Sequence, residues 1–422
     1  MRNLSPQFLS RCVAVLGSIT LTFVLASGAQ AQTFKVLHDF GAAAGDGNLP
    51  SGPLLKDSAG SLYGMTSTGG AHNWGSVYRL SPTSTGSFNE TILYSFKGGS
   101  ADGAFPEGTL VRDSAGKLYG VTSVGGITAT VCNSSAGPGC GVIFRLTPTS
   151  TGQWTEAVLH RFTGTDGGNS FAGLVLDSKG NFYGATSVGG SKGLGTVYKL
   201  SHTSTGWKET VLHSFAGGTD GAAPFIFETA LTLDGLGDIY GSTYGGGGAA
   251  NAGIVFELIP QTSGAWTEKI LYTFQGGADG SESLCGVILD KSGNVYGTTL
   301  KGGTQIGSGT VFKLTAANGY AKTILHDFNV LTDPAKEAPH TLLFDANGNL
   351  FGTTEYALYK LTPGSNGWSE TALWVFDNLQ DQGANTVYEP AIMDTQGHFW
   401  GATLWGGQAG STTGGVAWEV IP

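Results

Sequence analysis

Residues 113–126 read DSAGKLYGVTSVGG, an acidic turn, an aromatic-glycine step and a glycine-rich tail. Anchored on the glycine after the aromatic, the stretch recurs at Gly64, Gly120, Gly184, Gly241, Gly297, Gly352 and Gly401, at spacings of 49 to 64 residues. An Asp-x-x-Gly step precedes every copy, beginning at Asp57, Asp113, Asp177, Asp234, Asp290, Asp345 and Asp394. Aspartate can accept hydrogen bonds from its own turn while glycine takes the left-handed conformation, so the step reads as a hairpin. One carboxylate per turn is too few for a calcium loop.

Each repeat contains four strand-like runs. In the second they are GTLVRD (108–113), KLYGVT (117–122), GVIFRL (141–146) and WTEAVLHRF (154–162). Four short strands in each of seven copies predict an all-β, seven-bladed β-propeller with four-stranded antiparallel blades. The short Asp-x-x-Gly turn joins strands A and B, and the segment Pro148 to Gly152 joins C and D. The longer F-x-G-G-x-D-G-x-x-P segment then crosses between blades. In this phase residues 33–40 precede the first blade and the last repeat lacks a D strand. The N-terminal strand 33–40 is therefore expected to pair with residues 414–420 and close the ring.

Composition agrees with this reading. Charged residues are 12% of 422, about half the usual share, while 70 glycines suit short strands and tight turns. Residues 1–31 have the form of a cleaved export signal, with Arg2 and Arg11 ahead of a mostly apolar stretch from Val13 to Ala26 and Ala29-Gln30-Ala31 at the cleavage site. Residues 32–422 are expected to form the single propeller domain. Without the two leader arginines the net charge falls from −10 to −12, which excludes nucleic acid as a natural partner. No segment reads as a membrane span. In an oxidising compartment, Cys132 and Cys140 in VCNSSAGPGC are expected to form a disulfide, since Pro138 and Gly139 favour the turn between them. Cys285 reads as a buried thiol. No CxxC or HExxH motif suggests zinc, and no cofactor is expected.

The tandem D-x-x-G-x-L-Y-G-x-T-x-x-G-G unit, followed by G-x-V-Y-x-L and V-L-H-x-F, resembles the GloVer-type repeat of exported bacterial proteins over residues 33–422. The resemblance implies secretion and a propeller-like repeat, and it brings no established activity. Such proteins commonly carry a C-terminal anchoring segment, whereas here the last strand runs to Pro422. A secreted or periplasmic monomer without an anchor is expected. The P-x-G-x-L-x-x-D-x-x-G-x-L-Y pattern is also similar to the inner strand pair of NHL-type propellers.

A residue repeated in most blades is presumptively structural. This applies to the strand D position holding His38, Tyr94, His160, His213, Tyr272, His326 and Trp374, read as planar packing with an edge hydrogen bond. It applies equally to Asp46, Asp102, Asp166, Asp220 and Asp279 of the crossings, read as turn residues. A site must break the symmetry. The crossings and B-to-C loops share one end of the blades, and at the start of the inner strands there the copies diverge. Glu107, Glu228, His340, Tyr388 and Glu389 are the candidate binding residues, with Trp405 on the last B-to-C loop. No nucleophile, base and orienter triplet is readable. The sequence thus supports a non-catalytic binding module for a glycan or protein. Two other readings stay open: a polysaccharide lyase using His340 or Tyr388 with a glutamate, and a structural envelope protein.

Overall fold

A computed structural model describes residues 32–132, 137–224, 230–304, 307–336, 339–376, 390–407 and 414–422. The leader expected over 1–31 lies outside them, as do Glu228, Tyr388 and Glu389. All seven Asp-x-x-Gly steps close identically. Asp177 Oδ1 accepts from the N–H groups of Lys179 and Asn181, 2.8 Å each, and its six equivalents do the same two and four residues on. The turn glycines have φ between 75° and 92°. The hydroxyls of Tyr63, Tyr119, Tyr183 and Tyr296 donate to the remaining carboxylate oxygen of their turn, whereas Tyr240 donates to Glu257 instead.

These turns organise seven four-stranded antiparallel sheets. Blade 2, for example, is Gly103–Arg112 (A), Leu118–Gly125 (B), Val142–Pro148 (C) and Trp154–Arg161 (D). Blade 7 takes A, B and C from Ile392–Met393, Phe399–Ala402 and Val416–Ile421. Its D strand is Thr33–Asp39, which runs antiparallel to strand C with Thr33 opposite Ile421 and Asp39 opposite Val416. The expected closure is therefore observed.

The glycine of the aromatic-glycine step has a packing role in every blade. Directly opposite it on strand C stands an aromatic: Tyr78, Phe144, Tyr198, Phe256, Phe312, Tyr359 or Trp418. A Cβ on the glycine would come within 2.3–2.6 Å of that ring or its hydroxyl. Glycine thus lets a large side chain lie flat across strand B. Each flat ring then receives a phenylalanine from the end of the preceding blade. These are Phe40, Phe96, Phe162, Phe215, Phe274, Phe328 and Phe376, with centroids 4.8 to 5.4 Å from the ring they meet. Seven such pairs form the inter-blade core.

Strand D carries a feature that the sequence reading does not contain. Between strands C and D the register shifts once in every blade. The residue without a partner is the leucine before the His, Tyr or Trp position, such as Leu93 between Ile92 and Tyr94. A bulge twists a strand and re-aims its next side chain. Here it turns the aromatic or histidine toward the neighbouring blade.

Candidate functional site

Four crossings hydrogen-bond to the B-to-C loop of the blade they leave. Leu49 N–H donates to the Gly414 carbonyl, Phe105 to Trp74, Asn169 to Cys140 and Ala223 to Leu194, at 2.8 to 3.1 Å. The two kinds of long connection therefore share one end of the ring, while the Asp-x-x-Gly turns occupy the other. On blade 6 this rim is lowered, because only three residues separate strand B (Leu350–Thr353) from strand C (Ala357–Gly364). On blade 2 the rim is braced by the Cys132–Cys140 disulfide, Cα atoms 4.9 Å apart.

The third residue after each described crossing aspartate is left-handed. These residues are Leu49, Phe105, Asn169, Ala223, Glu282 and Lys336, with φ from 48° to 64°. Such a φ strains every side chain except glycine and, less so, asparagine. All but Asn169 are half-buried at the start of the inner strands. Their surroundings differ as their chemistry does. Phe105 meets the Trp74 ring edge-on at 5.7 Å, Glu282 pairs with Lys301 at 2.8 Å, and the Lys336 ammonium lies 4.4 Å from the Tyr356 ring.

Of the residues singled out from sequence, Glu107 and Trp405 are half-buried on blades 2 and 7. His340 is 1% exposed, at the start of the inner strand of blade 6, and Cys285 stands beside it on blade 5. Cys285 Sγ and His340 Nδ1 are 3.8 Å apart. Burial pushes the imidazole down to about 3, so it is neutral at physiological pH. Next to His340 the inner strands line an open cavity of 230 Å³ bordered by Pro53, Thr109, Ala230, Gly286, Thr341 and Pro390. That is smaller than an ordinary ligand pocket of roughly 300 Å³ or more.

The sequence reading missed how the repeated polar residues combine. His38 of blade 7 faces Asp46 of the next crossing and Glu90 on strand D of blade 1. The set recurs as Tyr94, Asp102 and Glu156; His160, Asp166 and Glu209; and His213, Asp220 and Glu268. It continues as Tyr272, Asp279 and Lys322, then His326, Asp333 and Glu370. In each described set the aspartate takes a bond from the His or Tyr and another from a crossing backbone N–H. At the remaining seam, Trp374 stacks on Phe34 at 5.0 Å and 9°. The missed member, Glu in most blades, sits four residues before the His position. Its visible signal was the pair of exceptions, Lys322 and Phe34.

Comparisons with known proteins agree with this architecture. The sequence profile of the Gloeobacter/Verrucomicrobia repeat matches residues 23–130 and 128–357. No curated protein sequence matches the chain. Among solved structures, virginiamycin B lyase from Staphylococcus aureus is similar at 14% identity and TM-score 0.51, covering 92% of this chain and 99% of the lyase. Its catalytically inactive His-to-Ala variant with quinupristin gives 14% identity and TM-score 0.52, over 92% and 100%. The extracellular domain of a hybrid two component system from B. thetaiotaomicron is similar at 13% identity and TM-score 0.58, over 92% of this chain and 39% of that one. At such identities the likeness is one of fold.

Proposed function

The chain belongs to the Gloeobacter/Verrucomicrobia repeat family, and we propose that it is an exported, non-catalytic recognition module that binds a glycan or protein chain on its long-loop face. One observation carries the reading. Where a left-handed backbone is needed elsewhere the chain almost always uses glycine, yet at the crossing position it keeps Leu49, Phe105, Ala223, Glu282 and Lys336. Each such residue costs on the order of 1 kcal/mol or more in backbone strain. A purely architectural repeat would shed that cost by mutation to glycine. Retaining apolar, aromatic, acidic and basic side chains there suits a rim whose side chains make contacts, with Glu107 and Trp405 beside them.

The test is a panel of glycans, polysaccharides and envelope proteins presented to the mature protein and to Leu49→Gly, Glu282→Gly and Lys336→Gly. Binding should fall about tenfold or more in at least one variant, while its melting temperature is unchanged or higher because the strain is relieved. Equal losses of stability and binding would make the position structural. New unsaturated product ends from a polysaccharide would replace this reading with the lyase one.

A further inference from the structure

From the outer blade seams we propose that His38/Asp46/Glu90, His160/Asp166/Glu209 and His213/Asp220/Glu268 are three equivalent sites for a divalent transition-metal ion of the zinc class. In each of these three sets, and not in the fourth His/Asp/Glu set at His326, Asp333 and Glu370, one imidazole nitrogen and two carboxylate oxygens lie within 4.8 Å of one another. His160 Nε2 is 3.1 Å from Asp166 Oδ2, His213 Nε2 is 3.1 Å from Asp220 Oδ1, and the Glu268 and Glu90 oxygens are 3.7 and 3.8 Å from their histidines. Zinc bonds of about 2.0–2.2 Å in tetrahedral geometry need donors spaced roughly 3.3–3.6 Å apart. Small side-chain adjustments would therefore suffice.

The aspartates are already held for the task. Asp166 Oδ1 accepts from Thr163 N–H at 2.8 Å and Asp220 Oδ2 from Ala216 N–H at 2.6 Å, leaving the other oxygen toward the histidine. Such backbone anchoring orients a ligand carboxylate. Glu90 and Glu268 hold their carboxyl groups against the same seam with only 15% and 14% of the side chain exposed.

The chain contains its own control. At the seam between blades 4 and 5 the glutamate is replaced by Lys322, whose Nζ lies 3.1 Å from Asp279 Oδ1 with only 5% of the side chain exposed. The histidine is replaced there by Tyr272, which donates to the same aspartate oxygen at 2.6 Å. Where a covalent cation is supplied, the nitrogen donor and the second carboxylate are both gone.

Metal-stripped mature protein titrated with Zn2+ in a calorimeter, with bound zinc counted by mass spectrometry, should take about three equivalents. Calcium, which prefers six to eight oxygens, should not compete. Glu209→Gln should remove one equivalent. The double substitution Tyr272→His with Lys322→Glu should add one. Because exposed histidines can also collect zinc, the change in count is decisive. A count unaltered by Glu209→Gln in a folded protein, or no zinc uptake at all, overturns the proposal.

Discussion

The smallest unit of explanation is the glycine of the aromatic-glycine step. Its role is steric, since a Cβ at Gly184 would approach the Tyr198 hydroxyl to 2.4 Å. Tyr198 in turn is buried under Phe162 of the blade before it. Gly184→Ala should therefore cost about 1–3 kcal/mol by overpacking, read as a lower urea midpoint with an unchanged slope. Glycine at a half-buried left-handed rim position such as Glu282 or Lys336 should do the reverse. Sequence alone could count these glycines but could not say what they make room for, because the ring each one accommodates lies on another strand. The same holds for His340. Its asymmetry was legible, whereas its burial against Cys285 depends on how the inner strands of blades 5 and 6 meet.

At the scale of the strand, D is the element that joins blades. Its bulged leucine aims the next side chain at the crossing aspartate, and the glutamate four residues earlier meets the same carboxylate from the following blade. Burial pushes Glu90, Glu156 and Glu370 up to about 7 and Glu209 and Glu268 up to about 8, with the crossing aspartates adding to it. The native state thus binds more protons than the unfolded chain between about pH 4.5 and 8. In that window stability falls as pH rises, and the full penalty is in place above both values. Metal-free protein should melt progressively lower from pH 5 to pH 8, and Glu209→Gln should flatten the slope and raise the melting point at pH 8. A pH-independent melting point would show that these carboxyls titrate normally. The four-strand repeat, its phase and the outer position of the histidines were legible from spacing alone. The seam clusters were not, since their members lie in three separate segments and each has an ordinary local explanation.

For the whole molecule, closure rests on Thr33–Asp39 and on the Phe34–Trp374 stack, the one aromatic seam among six polar ones. Deleting residues 33–40 should leave the edge of Val416–Ile421 unpaired and open to intermolecular pairing. Sedimentation of the truncated protein should show self-association, and a synthetic peptide of residues 33–40 should return it to monomer; a truncated chain that stays monomeric and equally stable would refute the role of that strand. A ring fastened this way also keeps time. The first strand of the ring must wait for residues 416–421 to emerge, so closure is deferred until all seven blades have been made. A chain interrupted anywhere before residue 416 would carry two open ends. Synthesis of the seventh repeat is thereby written into the fold as a condition for being closed.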